Sequence, residues 1–487
     1  MISSVKIIAS VILMLSLTAI ASAQAPEVEW ETILGDPDHT DYGRGAFQTS
    51  DGGYIVGGNC TSWNGGYMDN VLFKLNESGD TLWTAANTTG SYQENAGCFR
   101  LMPNGTYMFC GFCNRYPDGS TAYLYNANPD GSYNWMSYFG ASDMDESGTC
   151  MAQVGTNSYV AMTRLWYDSE HGWDVKMYSF DEFGGNLWIQ HYLTPVAEDV
   201  ACINEVSDGG YIVSGMTQNP ENYNYQLLLL KTNASGATEQ WATIGGPNDE
   251  FGYWVIETAD GGFLTTGYKK RDDNYTKDVY IVKTNSACVP EWSKVYGFSY
   301  MDAGHYCAQT PDGGYIIGAS CRAFTSFDFW VLRLDSNGDT LWTKVIEKPD
   351  TDESLYSIDI CDDGGYLLSG NISVPGGDCD IYVVKLEAET GVDELSNGLP
   401  NRTSIAQNYP NPFNANTVIG FSASSKQNVM IKLYDILGRE MRTICNDTFE
   451  PGYHKINFDG SLLSTGIYFY TLYVDDITET GRMTLVK

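Results

Sequence analysis

The stretch DGGYIVGG, residues 51–58, decides the fold, because close copies of it return along most of the chain. The clear copies begin at residues 208, 260, 312 and 363, and PNGTYMFCG and TNSYVAMT are weaker copies that lie between the first two. The aligned aromatic residues stand 51 to 53 positions apart, and they are Tyr54, Tyr107, Tyr159, Tyr211, Phe263, Tyr315 and Tyr366. A constant period of this length indicates repeated units that bury their apolar faces against one another.

Each repeat contains four short runs rich in Val, Ile, Tyr, Phe and Thr, separated by Gly, Asn and Asp. In the first repeat these runs are AFQTS, YIVGGNC, DNVLFKL and TLWTA. Such runs predict strands, and the residues between them predict tight turns. Four antiparallel strands in each of seven units predict an all-β protein built as a seven-bladed β-propeller with four-stranded blades.

A second marker, a tryptophan, recurs at 50 to 53 residues: Trp30, Trp83, Trp135, Trp188, Trp241, Trp292 and Trp342. Its surroundings, as in DSNGDTLW (335–342), resemble the tryptophan-docking repeat of the quinoprotein-like (pyrroloquinoline quinone type) seven-bladed propellers, over residues 28–395. The resemblance implies a Trp on the outermost strand that packs onto the next blade, and it supports the fold without implying the cofactor. Trp30 has no inner strands before it, so we expect Val28–Leu34 to supply the fourth strand of the last blade.

The two ends of the chain predict export. Residues 1–23 combine Lys6, an apolar run and small residues up to Ala23, which is typical of a cleaved signal peptide. Near the other end, QNYPNPFN (407–414), YDILGRE (434–440), GYHKINFDG (452–460) and the terminal MTLVK follow in order. Together they resemble the C-terminal sorting domain of the type IX secretion system, type A. That resemblance implies contact with the type IX machinery, followed by secretion or attachment to the outer cell surface.

These features predict four segments: a signal peptide at 1–23, the propeller at 24–395, a linker at 396–403 and the sorting domain at 404–487. The short alternating strands of the last segment predict an immunoglobulin-like β-sandwich. No stretch after the signal is long and apolar enough to span a membrane. We therefore expect no transmembrane span in the mature protein.

The net charge of −34 argues against nucleic-acid binding, which needs clustered Lys and Arg. Residues 396–487 carry eight bases and eight acids, so the negative charge belongs to the repeats. Twelve cysteines in an exported chain would suggest disulfides. However, Cys98, Cys150 and Cys202 share one repeat position, and equivalent positions in different blades are usually too far apart for a disulfide. We expect most cysteines to be free and buried.

A carboxylate stands thirteen residues before every aromatic marker: Asp41, Glu94, Glu146, Glu198, Glu250, Asp302 and Glu353. We expect this ring near the central channel, in the connections that enter the inner strands. It serves either as a cation-binding mouth or as a set of caps for loop N–H groups, and the second explanation is favoured because every blade has one. The segment GDPDHTDYG, with Asp36, Asp38 and Asp41, is a weak candidate for Ca²⁺.

The repeats differ most between their second and third strands. By strand direction, these variable loops lie on the same face as the carboxylates, and the short Asp-Gly-Gly turns lie on the other. Aromatic residues in the loops could bind a ligand: Trp63, Tyr67, Trp166, Tyr167, Trp173, Tyr223, Tyr225 and Phe324. An acidic, aromatic mouth would suit a neutral glycan, a cationic peptide or a Ca²⁺-bridged partner, and would repel polyanions.

No catalytic set assembles from the sequence. The five His residues have no metal-ligand spacing, and GxSxG is absent. The sequence therefore favours a non-catalytic binding or interaction module for an extracellular glycan or protein, exposed on the loop-rich face. The alternative is a secreted carbohydrate-active enzyme, a glycoside hydrolase or lyase, in which two loop carboxylates perform acid–base work.

Overall fold

A computed structural model describes the chain apart from residues 1–24, 36–38, 62–67, 88–92, 115–118, 141–144, 156–157, 169–171, 272–275, 299, 323–325, 374–377, 390–403, 406–407, 409–412, 414–415, 424, 437, 450–451, 475–476 and 486–487. The predicted signal peptide and linker, Asp36, Asp38, Trp63, Tyr67 and Phe324 therefore lie outside the described residues. The described part of the chain contains strands β1 to β35 and no helix.

Seven four-stranded antiparallel sheets, the blades, follow one another along the chain. Blade 1 is β2–β5 (Asp41–Gln48, Tyr54–Cys60, Asp69–Leu75, Thr81–Asn87), and blade 2 is β6–β9 (Gln93–Leu101, Tyr107–Asn114, Ser120–Ala127, Tyr133–Phe139). Blade 3 is β10–β13 (Glu146–Val154, Ser158–Asp168, Gly172–Asp181, Asn186–Tyr192), and blade 4 is β14–β17 (Glu198–Glu205, Tyr211–Gln218, Tyr225–Thr232, Thr238–Ile244). Blade 5 is β18–β21 (Glu250–Glu257, Phe263–Lys270, Lys277–Thr284, Pro290–Tyr296), and blade 6 is β22–β25 (Ala303–Gln309, Tyr315–Cys321, Asp328–Leu334, Thr340–Ile346). Blade 7 combines β26–β28 (Asp352–Ile360, Tyr366–Ser373, Cys379–Leu386) with β1 (Val28–Leu34).

The ring closes through the N-terminal strand, as predicted. β1 pairs antiparallel with β28, from Val28 opposite Leu386 to Leu34 opposite Ile381. Blade 7 in turn packs on blade 1, where the Asn371 side chain accepts a hydrogen bond from the backbone N–H of Gly43 at 2.8 Å. The seven-bladed β-propeller with four-stranded blades is confirmed. Closure gives β28 a pairing partner on its outer side, where its edge would otherwise be unpaired.

The aspartate of each Asp-Gly-Gly turn forms an ion pair with a buried basic residue. In blade 1 the Asp51 carboxylate accepts hydrogen bonds from the Gly53 N–H (3.1 Å) and the Lys74 ammonium (2.9 Å), while Gly52 adopts a φ of 83°. The same pair of positions is bridged in four other blades, by Lys231–Asp208, Lys283–Asp260, Arg333–Asp312 and Lys385–Asp363. Blades 2 and 3, whose turns lack the Asp, carry Asn126 and Ser179 where the cation would stand. The two weak copies have therefore lost both partners together.

The tryptophans lie on the outermost strands and contact the following blade. The Trp30 ring reaches Gly79 of blade 1, and Trp83 reaches Gly131 of blade 2, so closely that a Cβ on either glycine would lie 2.6 Å from the ring. Trp135, Trp188 and Trp292 make the same contact with Gly184, Gly236 and Gly338. At Trp241 the glycine is replaced by Cys288, which is buried and has a φ of 58°. This is the docking that the tryptophan-repeat resemblance implied.

One β-bulge interrupts the innermost strand of every blade at the same place. The pairing of the first strand with the second shifts register between Gly43 and Gly45 in blade 1, and at the equivalent pair in each other blade. A bulge leaves one residue unpaired and bends the strand, which re-aims that side chain. Here the bend occurs in the strands that line the central channel.

The C-terminal region forms two further sheets. One contains β29 (Ser404–Ile405), β30 (Asn416–Ala423) and β33 (Gly452–Asp459), and the other β31 (Gln427–Asp435), β32 (Glu440–Phe449), β34 (Gly466–Val474) and β35 (Ile477–Leu485). One apolar cluster includes Phe421 and Phe458 from the first sheet and Ile431 and Tyr470 from the second. The two sheets therefore share a core.

Candidate functional site

The seven predicted ring carboxylates occupy equivalent places, but they belong to the inner strands and not to the connections before them. Six are the first residue of their strand or the second, as in β2 and β6, and Asp302 directly precedes β22. Their side chains face the interior of the protein, since none of the seven residues is more than 1% exposed. They therefore present little negative charge to the mouth of the channel.

The partners of these carboxylates come from the same blade or from the connection that leads into it. Glu146 accepts hydrogen bonds from the Thr163 hydroxyl (2.6 Å), the Tyr178 hydroxyl (2.7 Å) and the Lys176 ammonium (3.1 Å). Asp302 accepts them from the backbone N–H groups of Phe298 and Arg322, at 2.5 and 2.9 Å. The Asp302 contacts agree with the capping explanation, whereas Glu146 is held by side chains. Both capping and cation binding by the ring stay predictions.

At several blade junctions a second acid lies close to the ring carboxylate, which sequence reasoning missed. A Cβ on Gly35 would lie within 2.7 Å of both Asp41 and Asp380, and one on Gly297 within 2.9 Å of both Asp278 and Asp302. Burial raises the pKa of Glu198 to about 7, and the negative charge of Asp174 contributes to this rise. The second acid begins the third strand of the preceding blade, so the pairing depends on how blades meet.

Of the predicted ligand-binding aromatics, five fall within described strands or loops. Trp166 and Trp173 are opposite each other in the β11–β12 hairpin, and Tyr167 follows Trp166. Tyr223 is 71% exposed with a φ of 62°, while Tyr225 is half-buried at the start of β16. The strand pairing brings these residues to the edge of the ring where the inner strands begin. Their role in binding stays a prediction.

The bulge residues form a more specific site, and they are what the sequence reasoning overlooked. In chain order from blade 1 they are Arg44, Gly97, Thr149, Ala201, Tyr253, His305 and Tyr356. Blades 5, 6, 7 and 1 thus carry large side chains at this position, whereas blades 2, 3 and 4 carry small ones. In the sequence, each bulge residue stands three positions after a ring carboxylate. The residue type at this position differs between repeats, and that variation could have indicated the site.

The four large bulge residues, Tyr253, His305, Tyr356 and Arg44, contact one another in sequence around the channel, and we call them the channel arc. The Tyr253 and His305 rings are 4.9 Å apart, and the His305 and Tyr356 rings meet edge to face at 5.5 Å. The Arg44 guanidinium carbon lies 6.0 Å from the Tyr356 ring and 5.9 Å from the ring of Tyr42. All four side chains are half-buried. They therefore retain contact with solvent.

The electrostatics of the channel arc are unusual for such an acidic protein. Burial lowers the pKa of Arg44, and the Nε of its guanidinium has no hydrogen-bond partner in the described structure. Burial, assisted by Lys277, lowers the pKa of His305 to about 4, so this imidazole is neutral at pH 7. The arc therefore offers one cation and three uncharged rings. A desolvated guanidinium with a free donor is a site for an anionic group.

Further polar and aromatic groups surround the arc. Tyr253 contacts Phe251 and Tyr268, at 4.6 and 5.9 Å between ring centroids, and the Lys277 ammonium lies 3.7 Å from the Tyr268 ring. Arg164 of blade 3 forms an ion pair with Asp199 of blade 4, with 3.2 Å between the guanidinium nitrogen and the carboxylate oxygen. The Arg164 guanidinium also lies over the ring of Trp173, 5.2 Å from its centroid. Trp173 thus links the variable loops to the channel.

Deeper along the inner strands, one contact spans the channel. The Arg100 guanidinium of blade 2 lies 4.3 Å from the Trp254 ring of blade 5, and Trp254 packs on Tyr306 at 4.0 Å. Arg100 also donates a hydrogen bond to Asn204 of blade 4 at 3.3 Å. The channel arc therefore has a layer of large side chains beneath it.

Ten of the twelve cysteines are buried, and most are free thiols, as expected. One part of the expectation was wrong: the Cys98 and Cys150 sulfurs lie only 3.6 Å apart, although they occupy equivalent positions in blades 2 and 3. Inner strands converge toward the propeller axis, so equivalent residues there lie far closer together than on outer strands. Within the described residues, no group of three or more His, Cys, Asp or Glu side chains is arranged to hold a metal ion.

Most of the two C-terminal sheets lies in the part of the chain that matches a known protein family. Residues 407–486 match the model of the secretion system C-terminal sorting domain. This region is a type IX sorting domain. The sorting domain marks the protein for export, and the protein is secreted or attached to the outer cell surface. Among the residues described, there is no helix long and apolar enough to cross a membrane.

Solved structures similar to this chain include other propellers. An ulvan-degrading polysaccharide lyase has 10% identity and a TM-score of 0.45, with 78% of this chain and 99% of that one covered. Polysaccharide lyase Uly1 has 10% identity, a TM-score of 0.44 and coverage of 74% and 99%. The β-propeller domain of the Trilobed protease from Pyrococcus furiosus has 9% identity, a TM-score of 0.40 and coverage of 72% and 95%. No curated protein sequence matches. These scores are too low to bear on function.

Proposed function

We propose that the protein is an exported binding module whose loop-rich face takes an acidic glycan, with an anionic group of the sugar held by Arg44. The observation that carries the proposal is the half-buried Arg44 guanidinium, whose buried Nε has no hydrogen-bond partner in the described structure, beside the rings of Tyr42 and Tyr356. Carboxylates and sulfates bind guanidinium groups through paired charge-assisted hydrogen bonds. Tyrosine rings beside such a site supply faces on which sugars stack.

The charge of the mouth decides between this ligand and the alternatives suggested by the sequence. The ring carboxylates are buried, whereas the channel arc contains Arg44, and Lys277 lies against Tyr268 beside the arc. This arrangement favours an anionic sugar over a cationic peptide. The protein's overall net charge of −34 repels long polyanions at a distance, so we expect recognition of chain ends or short oligosaccharides.

The test compares oligosaccharides that contain uronic acid or sulfate with neutral ones of the same length, by calorimetry on the full chain. Arg44→Gln should weaken binding of the acidic sugars roughly 10- to 100-fold, since hydrogen bonds to charged groups contribute about 1.5–3 kcal/mol. Neutral sugars should be unaffected. Lys294→Ala removes the same charge from an outer strand, where Lys294 pairs with Asp339, and serves as the control. Equal loss with both variants would contradict the assignment.

A second candidate is a carbohydrate-active enzyme, favoured by the contact of a neutral His305 with Tyr253 and Tyr356. Histidine and tyrosine beside an arginine are groups that transfer protons in general acid–base catalysis. The ring carboxylates are buried, so they are less suited to the acid–base work that was predicted from the sequence for two loop carboxylates. Release of reducing ends from an acidic polysaccharide, lost in His305→Gln, would replace the binding proposal.

The export proposal has four parts. Residues 1–23 are removed as a signal peptide, 24–395 fold as the propeller, 396–403 link it to the tail, and 404–487 act as the sorting unit with an immunoglobulin-like sandwich fold. The shared apolar core of the two C-terminal sheets supports the sandwich. Fusing residues 403–487 to an inert reporter in a host with type IX secretion should deliver the reporter to the surface. Retention in the periplasm would contradict this.

A further inference from the structure

Three buried thiols lie side by side on the wall of the channel. Cys98, Cys150 and Cys202 directly follow the bulge residue in blades 2, 3 and 4, and all three are at most 7% exposed. The Cys98 and Cys150 sulfurs are 3.6 Å apart. This is contact distance between two thiols, and only a small movement separates them from the roughly 2.05 Å of a disulfide bond.

Glycine explains why the sulfurs of two blades come so close. A Cβ on Gly97, the bulge residue of blade 2, would lie 2.8 Å from the carbonyl oxygen of Thr149 and 2.9 Å from that of Gly148. Only glycine permits this approach of the β6 and β10 backbones. The equivalent residues of blades 3 and 4 are Thr149 and Ala201, which have side chains. Gly97 therefore lets β6 and β10 approach closely enough for the Cys98 and Cys150 sulfurs to meet.

The surroundings favour Cys150 as the reactive thiol. An Arg100 guanidinium nitrogen lies 3.8 Å from the Cys150 sulfur. Contacts with the Cys202 and Cys98 thiols, together with the charge of Arg100, hold the pKa of Cys150 below its usual range. Cys202 itself contacts the Val255 carbonyl oxygen of blade 5 at 3.9 Å and the Asn204 amide nitrogen at 3.5 Å. These contacts turn Cys202 toward blades 4 and 5.

We propose that Cys98 and Cys150 form a disulfide that joins blades 2 and 3 when the protein is exported. Compartments beyond the cytoplasmic membrane are oxidising. The oxidant is an external disulfide, of a thiol oxidase or of a small thiol. The Cys150 thiolate attacks one of its sulfurs, and a mixed disulfide forms as one external thiol leaves. Cys98 then loses its proton and attacks the Cys150 sulfur, and the second external thiol leaves.

In total, the two protein thiols give two electrons and two protons to the external disulfide, which becomes two thiols. The exchange takes place as blades 2 and 3 dock, when Arg100 and Cys98 come beside Cys150 and before the closed propeller buries the thiols. The cross-link then closes a loop that contains one whole repeat. Cross-links of this kind stabilise a fold by restricting its unfolded chain.

The test is peptide mapping of the full chain, purified from the export host without reductant, unfolded and alkylated. We expect the Cys98 and Cys150 peptides to be joined, with the other ten cysteines alkylated. Adding a reductant before alkylation should separate the two peptides. A protein in which all twelve cysteines are alkylated without reduction, or one in which Cys150 is joined to Cys202, would overturn the proposal.

Two serine variants sharpen the result. Cys150→Ser should leave Cys98 alkylated in the unreduced protein, whereas Cys307→Ser should keep the cross-link. Cys307 is an equally buried thiol of an inner strand in blade 6, and its sulfur contacts a carbonyl oxygen, that of Leu264, at 3.8 Å. Because the mapping of the unmodified protein decides the pairing by itself, the proposal remains testable even if Cys150→Ser does not fold.

Discussion

The Trp30 ring packs against the Tyr54 ring at a centroid distance of 5.2 Å, although Trp30 belongs to the last blade and Tyr54 to the first. Lys348 and Lys385 hold the same N-terminal strand to blades 6 and 7 through Glu31 and Glu29, at 2.6 and 3.2 Å. One strand thus completes blade 7 and also docks it onto blade 1.

Trp30→Ala should lower the free energy of unfolding by about 3 kcal/mol, because truncating a packed Trp removes apolar contact on both sides of the closure. Deleting residues 28–34 should be more severe and expose the edge of β28. Leu82→Ala, on an outer strand where Leu82 is 59% exposed, is the control and should change stability by less than about 0.5 kcal/mol. Urea unfolding measures all three. An unchanged midpoint for the deletion would contradict the closure.

The ion pair under each Asp-Gly-Gly turn should act as a unit. Asp260→Asn alone leaves the buried Lys283 with one fewer partner, and Lys283→Asn alone removes a donor that also bonds the Thr284 carbonyl at 2.9 Å. The double variant resembles blade 2, where asparagines stand at both positions. We expect the double variant to lose about 1–2 kcal/mol less free energy of unfolding than the sum of the losses in the two single variants. Purely additive effects in a urea-based double-mutant cycle would show that the pair is not coupled.

Glu198 should make stability fall between about pH 4.5 and 7. Its pKa in the folded protein is about 7, raised by burial from the ordinary 4.5. In this window the unfolded chain releases a proton that the folded chain keeps, so rising pH favours unfolding. Above pH 7 the folded protein has lost all of the stability that protonated Glu198 gives it at low pH. Glu198→Gln should therefore raise the unfolding free energy at pH 8 by on the order of 2–3 kcal/mol, with little effect at pH 4.5.

Glu146→Gln is the matched control for that experiment. Glu146 is equally buried, but Lys176 bonds it at 3.1 Å, so its replacement should lower stability at pH 8. Thermal unfolding across pH 4.5 to 8 compares both variants with the parent. A stability gain that is the same at every pH would contradict the titration of Glu198.

Ligand binding should depend on the face that bears the long loops. Replacing Trp166 and Trp173 with Ala should weaken glycan binding by roughly 10-fold or more, as stacked aromatic groups commonly supply about 1–2 kcal/mol each. Phe183→Ala is the control, because Phe183 is 73% exposed in a turn between the third and fourth strands, on the opposite face. Affinity that responds to Phe183 and not to the two tryptophans would reverse the assignment of faces.

The sequence predicts whatever every repeat shares. The Asp-Gly-Gly spacing and the recurring Trp fix blade number and closure, because each blade needs the same turn and the same docking contact. It does not predict the channel arc, because Arg44, Tyr253, His305 and Tyr356 share a position and not a residue type. It also misses the Cys98–Cys150 contact, which depends on the backbone separation that Gly97 allows near the axis. The sequence also does not predict the acid pairs at blade junctions, because the two acids of each pair come from different repeats.

The bulge in each inner strand has a consequence for how such proteins diversify. A bulged residue takes no part in the ladder of strand pairing, so its identity can change without altering the register of the blade. Seven positions of this kind encircle one axis, and those at which a side chain has room, unlike Gly97, can be exchanged without changing the strand pairing. Substitutions at the bulge positions can therefore change which ligand the channel binds, while the strand pairing of the blades stays the same.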